Sequence, residues 1–373
     1  MNKFGFVVHP IDAFTFKACT KPWFLLEKIL PKEMFENILT KLPPKRFRIF
    51  KKVRSMSGKS IDGDMLTISL LPSQIYSFPE ETVLRLIGEC IKYCERSGAK
   101  IVGLGGFTSV IGNEGEALSR RVKVPLTSGN TLTAALALQG IYKAAYAMEL
   151  SLPSAVVAVI GATGDIGSIC TKILSKRVKK VNIAARNEEK LQEFASRIRQ
   201  EGSAEVRVFK YSKDAVREAD IVLTVTSAIT TVVDPVSLKP GSIVCDVAMP
   251  ANIAREVVQA RDDILVFEGG LAKIPYPEDC KIEKLSTAFP PNGIYGCLAE
   301  TMTLAFEERF ESFSLGRGNI TESKITEIES MAKKHGIALA DFFCGYKTYT
   351  KQDIENIRKN AKKNKEVAYA AQK

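Results

Sequence analysis

The feature that most constrains the fold is a regular alternation that begins near Ser154. Six short runs rich in valine and isoleucine follow one another, separated by helical or turn segments: "AVVAVIG", "KVNIAAR", "EVRVFK", "DIVLTVT", "SIVCDV" and "ILVFEG". Strands that alternate with helices form a parallel sheet with helices on both faces, and such strands are apolar along their whole length. The sequence therefore predicts an α/β fold built on a doubly wound parallel sheet.

The first of these strands runs into a glycine-rich turn, "VIGATGDIGS", residues 159–168. Gly161 permits the tight turn, Gly164 lets the backbone approach a pyrophosphate, and Gly167 allows the helix to pack on the strand. The positive end of that helix then faces the phosphates. The turn predicts a Rossmann-type dinucleotide site with these contact residues: Gly161, Ala162, Thr163, Gly164, Asp165, Ile166 and Gly167.

The end of the second strand indicates which dinucleotide is bound. NAD sites place an Asp or Glu about 20 residues beyond the glycines, where it holds the ribose 2′-hydroxyl. This chain instead has "AARN", with Arg186 followed by Asn187. Because a guanidinium suits a 2′-phosphate, the cofactor is predicted to be NADPH rather than NADH. Thr226, Gly269 and Gly270, near the ends of later strands, are further predicted cofactor contacts.

The 373 residues are enough for two domains. Residues 1–150 alternate less cleanly, with predicted strands at "DMLTISLLP" and "AKIVGLGGF" and a long helix at "TLTAALALQGIYKAAYAMEL". Beyond Pro290–Pro291 the pattern is helical throughout. We therefore predict an α/β substrate-binding domain over 1–150, an NADP(H)-binding domain over 151–290, and a helical segment over 291–373 that packs back on the first domain.

Composition and motifs also bear on membrane insertion, secretion, metal binding and nucleic-acid binding. No apolar run approaches the ~20 residues that cross a bilayer, and the start lacks a signal-peptide pattern, so a cytoplasmic protein with reduced thiols is expected. Peripheral contact with a membrane stays open. Two histidines and the isolated pair Cys90 and Cys94 give no metal site. The net charge of +11 indicates an acidic partner. Nucleic acid is not indicated as that partner, because the basic run "PPKRFRIFKKVR" carries no nucleic-acid-binding motif; we interpret this run as a solvated edge.

The candidate catalytic residue is Cys297, in "NGIYGCLAETMTLAFEERF". A thiol at a helix N-terminus feels the positive end of the dipole, which favours the thiolate, and Gly293 and Gly296 leave room for a carbonyl. A thiolate beside a hydride donor suits the reduction of a thioester. Short-chain dehydrogenases share a "GATGxIG" turn, but their Tyr-x-x-x-Lys pair occurs here only as Tyr369 and Lys373 in the tail, so that class is excluded.

Several stretches together resemble the long-chain acyl-[acyl-carrier-protein] reductases of cyanobacteria, which form fatty aldehydes. They include "FGFVVHP", "SGKSIDG", "LGGFTSV", "TSGNTLTA", "VIGATGDIGS", "AARN", "GCLAETMTLAFE" and "FSLGRGNIT" followed by "KKHG". The resemblance implies that Cys297 accepts the acyl group and that NADPH reduces it in a ping-pong reaction. It also implies an acidic acyl carrier protein or acyl-CoA as donor, and an aldehyde-consuming enzyme as a later partner. Leu132 stands where the family has histidine.

Two loops, "GGFTS" and "TSGNTLT", are predicted to line the substrate side. Thr108, Ser109, Asn130 and Thr131 are candidates for hydrogen bonds to the thioester oxygen or the nicotinamide amide. The alternative is that these side chains cap helices and close turns, since Asn130 and Thr131 begin a helix. His9 matches a family position but receives no role.

Three rival functions remain. A shikimate/quinate-type NADP-dependent dehydrogenase shares the domain order but needs a lysine–aspartate pair in the first domain and no cysteine. A glutamyl-tRNA reductase also joins a cysteine to NADPH, but its nucleophile precedes the nucleotide domain, where only Cys19, Cys90 and Cys94 are available. An NADPH-binding redox-sensing module would bind the cofactor without turnover.

Overall fold

The computed structural model describes residues 1–11, 13–227, 233–248, 260–280, 293–345 and 347–370. The predicted break at Pro290–Pro291 and the end of the tail at Lys373 lie outside these residues. The chain forms two compact units, each assembled from separate segments. The first unit contains 1–132, 272–319 and 326–338, and the second contains 133–271, 320–325 and 339–373.

The second unit is built on six parallel strands, and it confirms the predicted doubly wound sheet. The strands are β6 (Val156–Ile160), β7 (Lys180–Ala184), β8 (Glu205–Phe209), β9 (Ile221–Thr224), β10 (Ile243–Asp246) and β11 (Leu265–Glu268). Their order across the sheet is β11-β10-β9-β6-β7-β8. The strand order reverses at β6, where the glycine turn follows, and this is the position at which open α/β sheets bind nucleotides.

The first unit is built on a five-stranded sheet: β1 (Asn2–Val8), β2 (Lys45–Arg54), β3 (Ser60–Thr67), β4 (Ile101–Leu104) and β5 (Leu126–Thr127). The order is β2-β3-β1-β4-β5, with β2 antiparallel to β3 and the other neighbours parallel. The basic run "PPKRFRIFKKVR" supplies β2 at the edge of this sheet, in agreement with the predicted solvated edge. Lysine and arginine on an edge strand discourage pairing with another chain.

Helices surround both sheets. Their bounds are Ala13–Thr20, Lys32–Leu39, Pro72–Ser77, Glu80–Arg96, Ile111–Glu114, Glu116–Ser119, Asn130–Ala147, Asp165–Ser175, Glu188–Glu201, Ser212–Val216, Gly296–Phe306, Glu322–Lys334 and Lys351–Ala370. Short 3₁₀ turns occupy Trp23–Lys28, Gly106–Ser109, Leu152–Ser154, Pro235–Ser237 and Pro277–Cys280. The helix Gly296–Phe306, whose second residue is Cys297, is called the cysteine helix below.

Two glycines allow helices to pack closely on the two faces of the first sheet. A β-carbon at Gly5 would lie 2.6 Å from Cys94 Sγ, on the helix Glu80–Arg96. On the opposite face, a β-carbon at Gly103 would lie 1.9 Å from Thr301 Oγ1 of the cysteine helix. Because Gly103 pairs with the neighbour of Gly5 in β1, the two glycines point to opposite faces. The cysteine helix is therefore an integral layer of the first unit, although it comes from residues far along the chain.

The units divide the chain differently from the predicted boundaries at 150 and 290. The first break falls after Leu132, inside the helix Asn130–Ala147, where an uninterrupted apolar pattern gives no boundary signal. The C-terminal helix belongs to the second unit, since Asn360 and Asn364 donate hydrogen bonds to Asp262 and Asp263, both at 3.0 Å.

The region after Pro291 was expected to be wholly helical, and that expectation is wrong. It contains the short strands β13 (Gly293–Tyr295) and β14 (Ala338–Leu339) and a hairpin of β15 (Phe343–Cys344) with β16 (Lys347–Thr348). Another short strand, β12, precedes this region and spans Leu271–Lys273. Strands of two or three residues are too short for hydrophobic periodicity to reveal. Among the described residues, no helix has the length and apolar character needed to cross a membrane.

Candidate active site

The carboxyl end of the first unit's sheet surrounds the start of the cysteine helix. Strand β1 leads to His9, β4 leads to the 3₁₀ turn Gly106–Ser109, and β5 leads to Gly129. Two of these three segments touch the cysteine directly: the Gly106 N–H is hydrogen bonded to the Cys297 thiol, and Gly129 packs against its backbone. The loops named in the sequence analysis therefore meet at the predicted nucleophile.

Exposure distinguishes Cys297 from most other thiols. Cys297 and Cys344 are partly exposed, whereas the other six cysteines are buried: Cys19, Cys90, Cys94, Cys170, Cys245 and Cys280. Cys170 packs near Ala134 O and Cys245 near Ala137 O, each with a 4.0 Å sulfur contact. Buried cysteines of this kind act as small hydrophobic residues. Cys297 is thus the cysteine of the first unit that is not wholly buried as a residue, although its sulfur faces the protein interior.

The thiolate-favouring effect expected of the helix start is present at Cys297 but is outweighed by burial. Burial of the sulfur raises the pKa of Cys297 to about 12, and the negative charge of Glu300 raises it further. The backbone N–H groups of Leu298, Cys297 and Gly106 oppose this by hydrogen bonding to the sulfur. The helix start therefore favours the thiolate as expected, but loss of hydration is the larger effect, and it depends on neighbours that the local sequence does not reveal.

Gly129 packs directly against the start of the cysteine helix. Its φ is +75°, and a β-carbon there would lie 2.1 Å from Cys297 Cα and 2.4 Å from Cys297 Cβ. Real β-carbons do not approach other carbons so closely, so only glycine fits this position. Sequence reasoning named the next two residues of this loop but missed Gly129; the signal was a glycine immediately before the helix Asn130–Ala147.

Glu300 is a second residue that sequence reasoning missed. It lies one helical turn after Cys297 and is fully buried. Its carboxylate accepts a hydrogen bond from Thr127 Oγ1 and another, at 2.8 Å, from the Leu132 N–H. The two donors flank Gly129, one at the end of β5 and the other in the first turn of the helix Asn130–Ala147. Glu300 therefore holds the loop with Gly129 against the cysteine helix, and a buried acid inside an otherwise apolar helix was the available signal.

His9, which received no role from the sequence, fixes the other loop at the thiol. Its Nδ1 lies 2.8 Å from Pro10 O, and its Nε2 accepts a 3.0 Å hydrogen bond from the Phe107 N–H. This pairing assigns the ring proton to Nδ1. Burial lowers the pKa of His9 to about 4, so the ring stays neutral and can accept. The accepted bond comes from the residue after Gly106, whose N–H reaches Cys297.

The four predicted substrate contacts lie in these loops, but three of their side chains make internal bonds. Thr108 Oγ1 contacts Val7 O and Gly105 O at 3.0 and 2.9 Å, and Ser109 Oγ donates to Gly106 O at 2.7 Å. Thr131 Oγ1 is paired with Ser314 Oγ. Asn130 is half-buried at the start of its helix. These bonds fit the turn-and-cap alternative, and substrate contact by these residues stays a prediction.

In the second unit, the glycine turn has the geometry that a pyrophosphate site needs. Gly161 has φ +91°, and a β-carbon at Gly167 would lie 2.3 Å from Gly161 O. A β-carbon at Gly164 would meet only Gly161 O, at 3.3 Å, so the turn is open on that side. Gly161 N–H and Ala162 N–H both donate to Ala184 O, at 2.8 and 3.2 Å, which fixes the turn to β7. The residues present therefore fit a bound dinucleotide.

The residues predicted to contact the adenosine side lie beside this turn. Arg186 is exposed just beyond β7, and its Nη2 lies 3.3 Å from Ser227 Oγ. Asn187 caps the helix Glu188–Glu201 by accepting a 2.8 Å hydrogen bond from the Lys190 N–H. Thr226 Cγ2 would lie 3.2 Å from a β-carbon at Gly161. Cofactor contact by each of them stays a prediction.

Gly269 and Gly270 are buried, and their lack of side chains has a packing explanation. A β-carbon at Gly269 would lie 2.5 Å from Cys245 Sγ, and one at Gly270 would lie 2.6 Å from Thr133 Cγ2. Gly270 also has φ +73°. Approach of these glycines to the nicotinamide stays a prediction.

A family model matches the Rossmann part of this fold. The family model described as shikimate/quinate 5-dehydrogenase matches residues 143–268, which hold the Rossmann sheet up to β11. The solved structure of L-tryptophan dehydrogenase from Nostoc punctiforme is 13% identical, with a TM-score of 0.42, and covers 97% of this chain and 90% of that one. Fold and site together define a nicotinamide-dependent oxidoreductase of the dehydrogenase/reductase type, with a Rossmann domain.

Two relatives narrow this class. The aminotransferase PigE of Serratia sp. is 28% identical over 367 residues; the match covers 96% of this chain but only 42% of that protein, so the chain spans less than half of this relative. The long-chain acyl-[acyl-carrier-protein] reductase of Synechococcus elongatus is 30% identical over 295 residues, which cover 76% of this chain and 84% of that protein. The chain belongs to the family of that reductase.

Proposed function

We propose that this protein reduces long-chain fatty acyl thioesters to fatty aldehydes, with NADPH as reductant and Cys297 as the acyl-accepting nucleophile. The observation that carries the proposal is the environment of Cys297: a partly exposed residue at a helix start, with the backbone N–H groups of Leu298, Cys297 and Gly106 hydrogen bonded to its sulfur. Membership of the acyl-[acyl-carrier-protein] reductase family supports the choice of substrate. The basic chain suits an acidic carrier protein, and acyl-CoA is the alternative donor.

In the proposed reaction, Cys297 sulfur attacks the thioester carbonyl as its proton leaves. The tetrahedral adduct collapses, and the carrier departs as a thiol after taking up a proton. The Gly106 and Leu298 N–H groups, which hold the sulfur in the free protein, serve as donors to the developing oxyanion. A bound NADPH supplies the hydride that reduces the acyl carbonyl. The resulting thiohemiacetal releases the aldehyde, and Cys297 regains its proton from solvent.

Glu300 and His9 are assigned positioning roles in this reaction. Glu300 fixes the loop with Gly129 on one side of the thiol, and His9 fixes the turn with Gly106 on the other. Neither side chain needs to touch the substrate for this purpose. Holding both loops keeps the donors aligned with the reacting carbon, which is the usual contribution of such supporting residues.

The choice of NADPH rests on Arg186. Its exposed guanidinium follows β7, where NAD-dependent sites carry an acid, and it suits a 2′-phosphate. Arg186→Glu should raise the KM for NADPH at least tenfold while changing that for NADH little. Arg197→Glu, on the next helix, is the control. Equal loss with both cofactors would contradict the assignment.

The central test is mass spectrometry after mixing the protein with acyl-carrier substrate in the absence of NADPH. We expect a mass increase of one acyl group on Cys297, released as aldehyde when NADPH is added. Cys297→Ser should abolish both events, whereas Cys344→Ser, which removes the other partly exposed thiol, should leave them intact. Acylation at another residue, or none, would overturn the mechanism.

The same experiment separates the rival functions. A shikimate-type dehydrogenase would remain active after Cys297→Ser, and a redox-sensing module would bind NADPH without oxidising it. The first unit does contain a lysine–aspartate pair, Lys3 and Asp64, at 2.7 Å. However, Lys3 lies at the amino end of β1 and also donates to Ser97 O, at the opposite end of the strands from the thiol. No observation favours the shikimate-type activity over the proposed one.

A further inference from the structure

Large apolar side chains are concentrated on the surface of one short segment of the first unit. Phe14, Trp23, Leu25, Ile29 and Met34 are 45–75% exposed, and they account for five of the twelve exposed large hydrophobic residues described. All five fall within the 21 residues from Phe14 to Met34, in a segment that contains the helix Ala13–Thr20, the 3₁₀ turn Trp23–Lys28 and the helix Lys32–Leu39. Single exposed apolar residues are ordinary, but such a concentration marks an interaction surface.

The segment is anchored to the unit by a different set of residues. Phe16, Phe35 and Leu39 are buried in the hydrophobic core beneath it, and the rings of Phe16 and Phe35 meet edge to face at 6.4 Å. Leu26 and Leu30 pack partly against the same core. The inward positions are therefore already occupied by apolar residues, and the exposed ones are additional. Burial within this chain does not explain them.

Charge identifies the kind of partner. Residues 13–39 hold four lysines and three glutamates, and residues 40–54, which include β2, hold seven lysines and arginines and no acid, so the net charge of +8 over residues 13–54 comes mainly from β2, which follows the segment in the chain. Lys17, Lys21, Lys28 and Lys32 alternate with the exposed apolar residues, and all four are exposed. Tryptophan and aliphatic side chains interleaved with lysine are the composition of segments that lie in a membrane interface. An acidic protein would attract the charge but would leave most of the apolar surface unmatched.

We propose that residues 13–39 form a docking surface for an anionic lipid bilayer, with Trp23, Leu25 and Ile29 inserted at the level of the headgroups. The surrounding lysines would add attraction to anionic lipids close to the membrane surface. The segment is too short to span a bilayer and lies along its surface. The docking surface is independent of the proposed reaction, since it involves neither Cys297 nor the nucleotide turn.

The test uses Trp23, which is the only tryptophan in the chain and therefore reports on this surface alone. The full-length protein is mixed with vesicles of phosphatidylcholine containing a quarter phosphatidylglycerol. We expect co-sedimentation with the vesicles, a shift of tryptophan emission to shorter wavelength, and quenching by brominated lipid. Raising the salt concentration should weaken binding, as should vesicles of phosphatidylcholine alone.

Variants make the test specific. Leu25→Glu combined with Ile29→Glu should weaken vesicle binding at least tenfold, while Trp23 remains as the reporter. Val236→Glu is the matched control, because Val236 is 87% exposed and lies in the second unit. Absence of a Trp23 response to anionic vesicles would overturn the inference, and so would binding that leaves Trp23 unquenched. A response to an acidic carrier protein but not to vesicles would assign the surface to protein docking instead.

Discussion

The close packing of Gly129 on Cys297 makes a sharp prediction for Gly129→Ala. A non-glycine residue at φ +75° costs about 1 kcal/mol. The new β-carbon would start 2.1 Å from Cys297 Cα and must retreat by about 1.4 Å to reach ordinary contact. Overpacking of this kind typically costs about 1–3 kcal/mol. Together these terms predict a loss of about 2–4 kcal/mol of folding free energy.

Gly98→Ala is the matched control for this prediction. Gly98 has φ +90°, but a β-carbon there would meet nothing within 4 Å, so only the backbone term of about 1 kcal/mol remains. Urea denaturation compares the two variants, and iodoacetamide labelling followed by intact-mass measurement reports on Cys297. We expect Gly129→Ala to be the less stable variant and to label several-fold faster, because displacement of the loop hydrates the sulfur. Equal stability and equal labelling of the two variants would refute the packing argument.

Four further predictions follow from the described contacts. Alkylation of Cys297 should accelerate about tenfold per pH unit from pH 7 to 10, because the pKa is about 12; a plateau near neutral pH would contradict that value. Glu300→Gln should shift this labelling profile to lower pH, since the negative charge that raises the thiol pKa is removed, and an unchanged profile would exclude that influence. Burial lowers the pKa of His9 from 6.5 in the unfolded chain to about 4 in the folded protein. The free energy of unfolding is therefore not reduced by His9 above pH 6.5, where the ring is neutral in both states, and falls as the pH is lowered towards 4. His9→Gln should remove about 3 kcal/mol of this acid destabilisation, measured by urea denaturation across the pH range. Gly88→Ala, in the interior of the helix Glu80–Arg96 with open space around the added carbon, should raise stability by about 0.5–1 kcal/mol, and a lower denaturation midpoint would show that the space is filled.

The nucleotide-binding half was the most predictable part of the chain. All six valine- and isoleucine-rich runs became adjacent parallel strands, and the glycine turn adopted the expected positive φ at Gly161. Each of these features depends on residues close together in sequence, either through strand periodicity or through the backbone freedom of glycine. The first half was less predictable because its sheet includes β1 and β2, neither of which was named as a strand. This sheet also needs the cysteine helix, which begins 169 residues after the end of β5, to cover one face.

In the candidate site, too, the features predicted from the sequence are local ones, and the features that were missed depend on residues distant in sequence. Cys297 was identified from its place at a helix start, a local feature that the structure retains. The hydroxyls of Thr108 and Ser109 looked available in the sequence, yet both close turns in the folded chain. Gly129 and Glu300 carried only weak local signals, and His9 received no role from the sequence. Their roles depend on contacts that join residues 9, 106, 129 and 297, which come together only after the sheet has formed.

By itself, the sequence determined the alternation of strands and helices, the glycine turn and the position of one cysteine at a helix N-terminus. These follow from short-range patterns of apolar residues and from the conformational freedom of individual glycines. Only the tertiary structure decided the protonation of that cysteine, because hydration is removed from the sulfur by loops distant in sequence, and their combined effect outweighs the helix dipole.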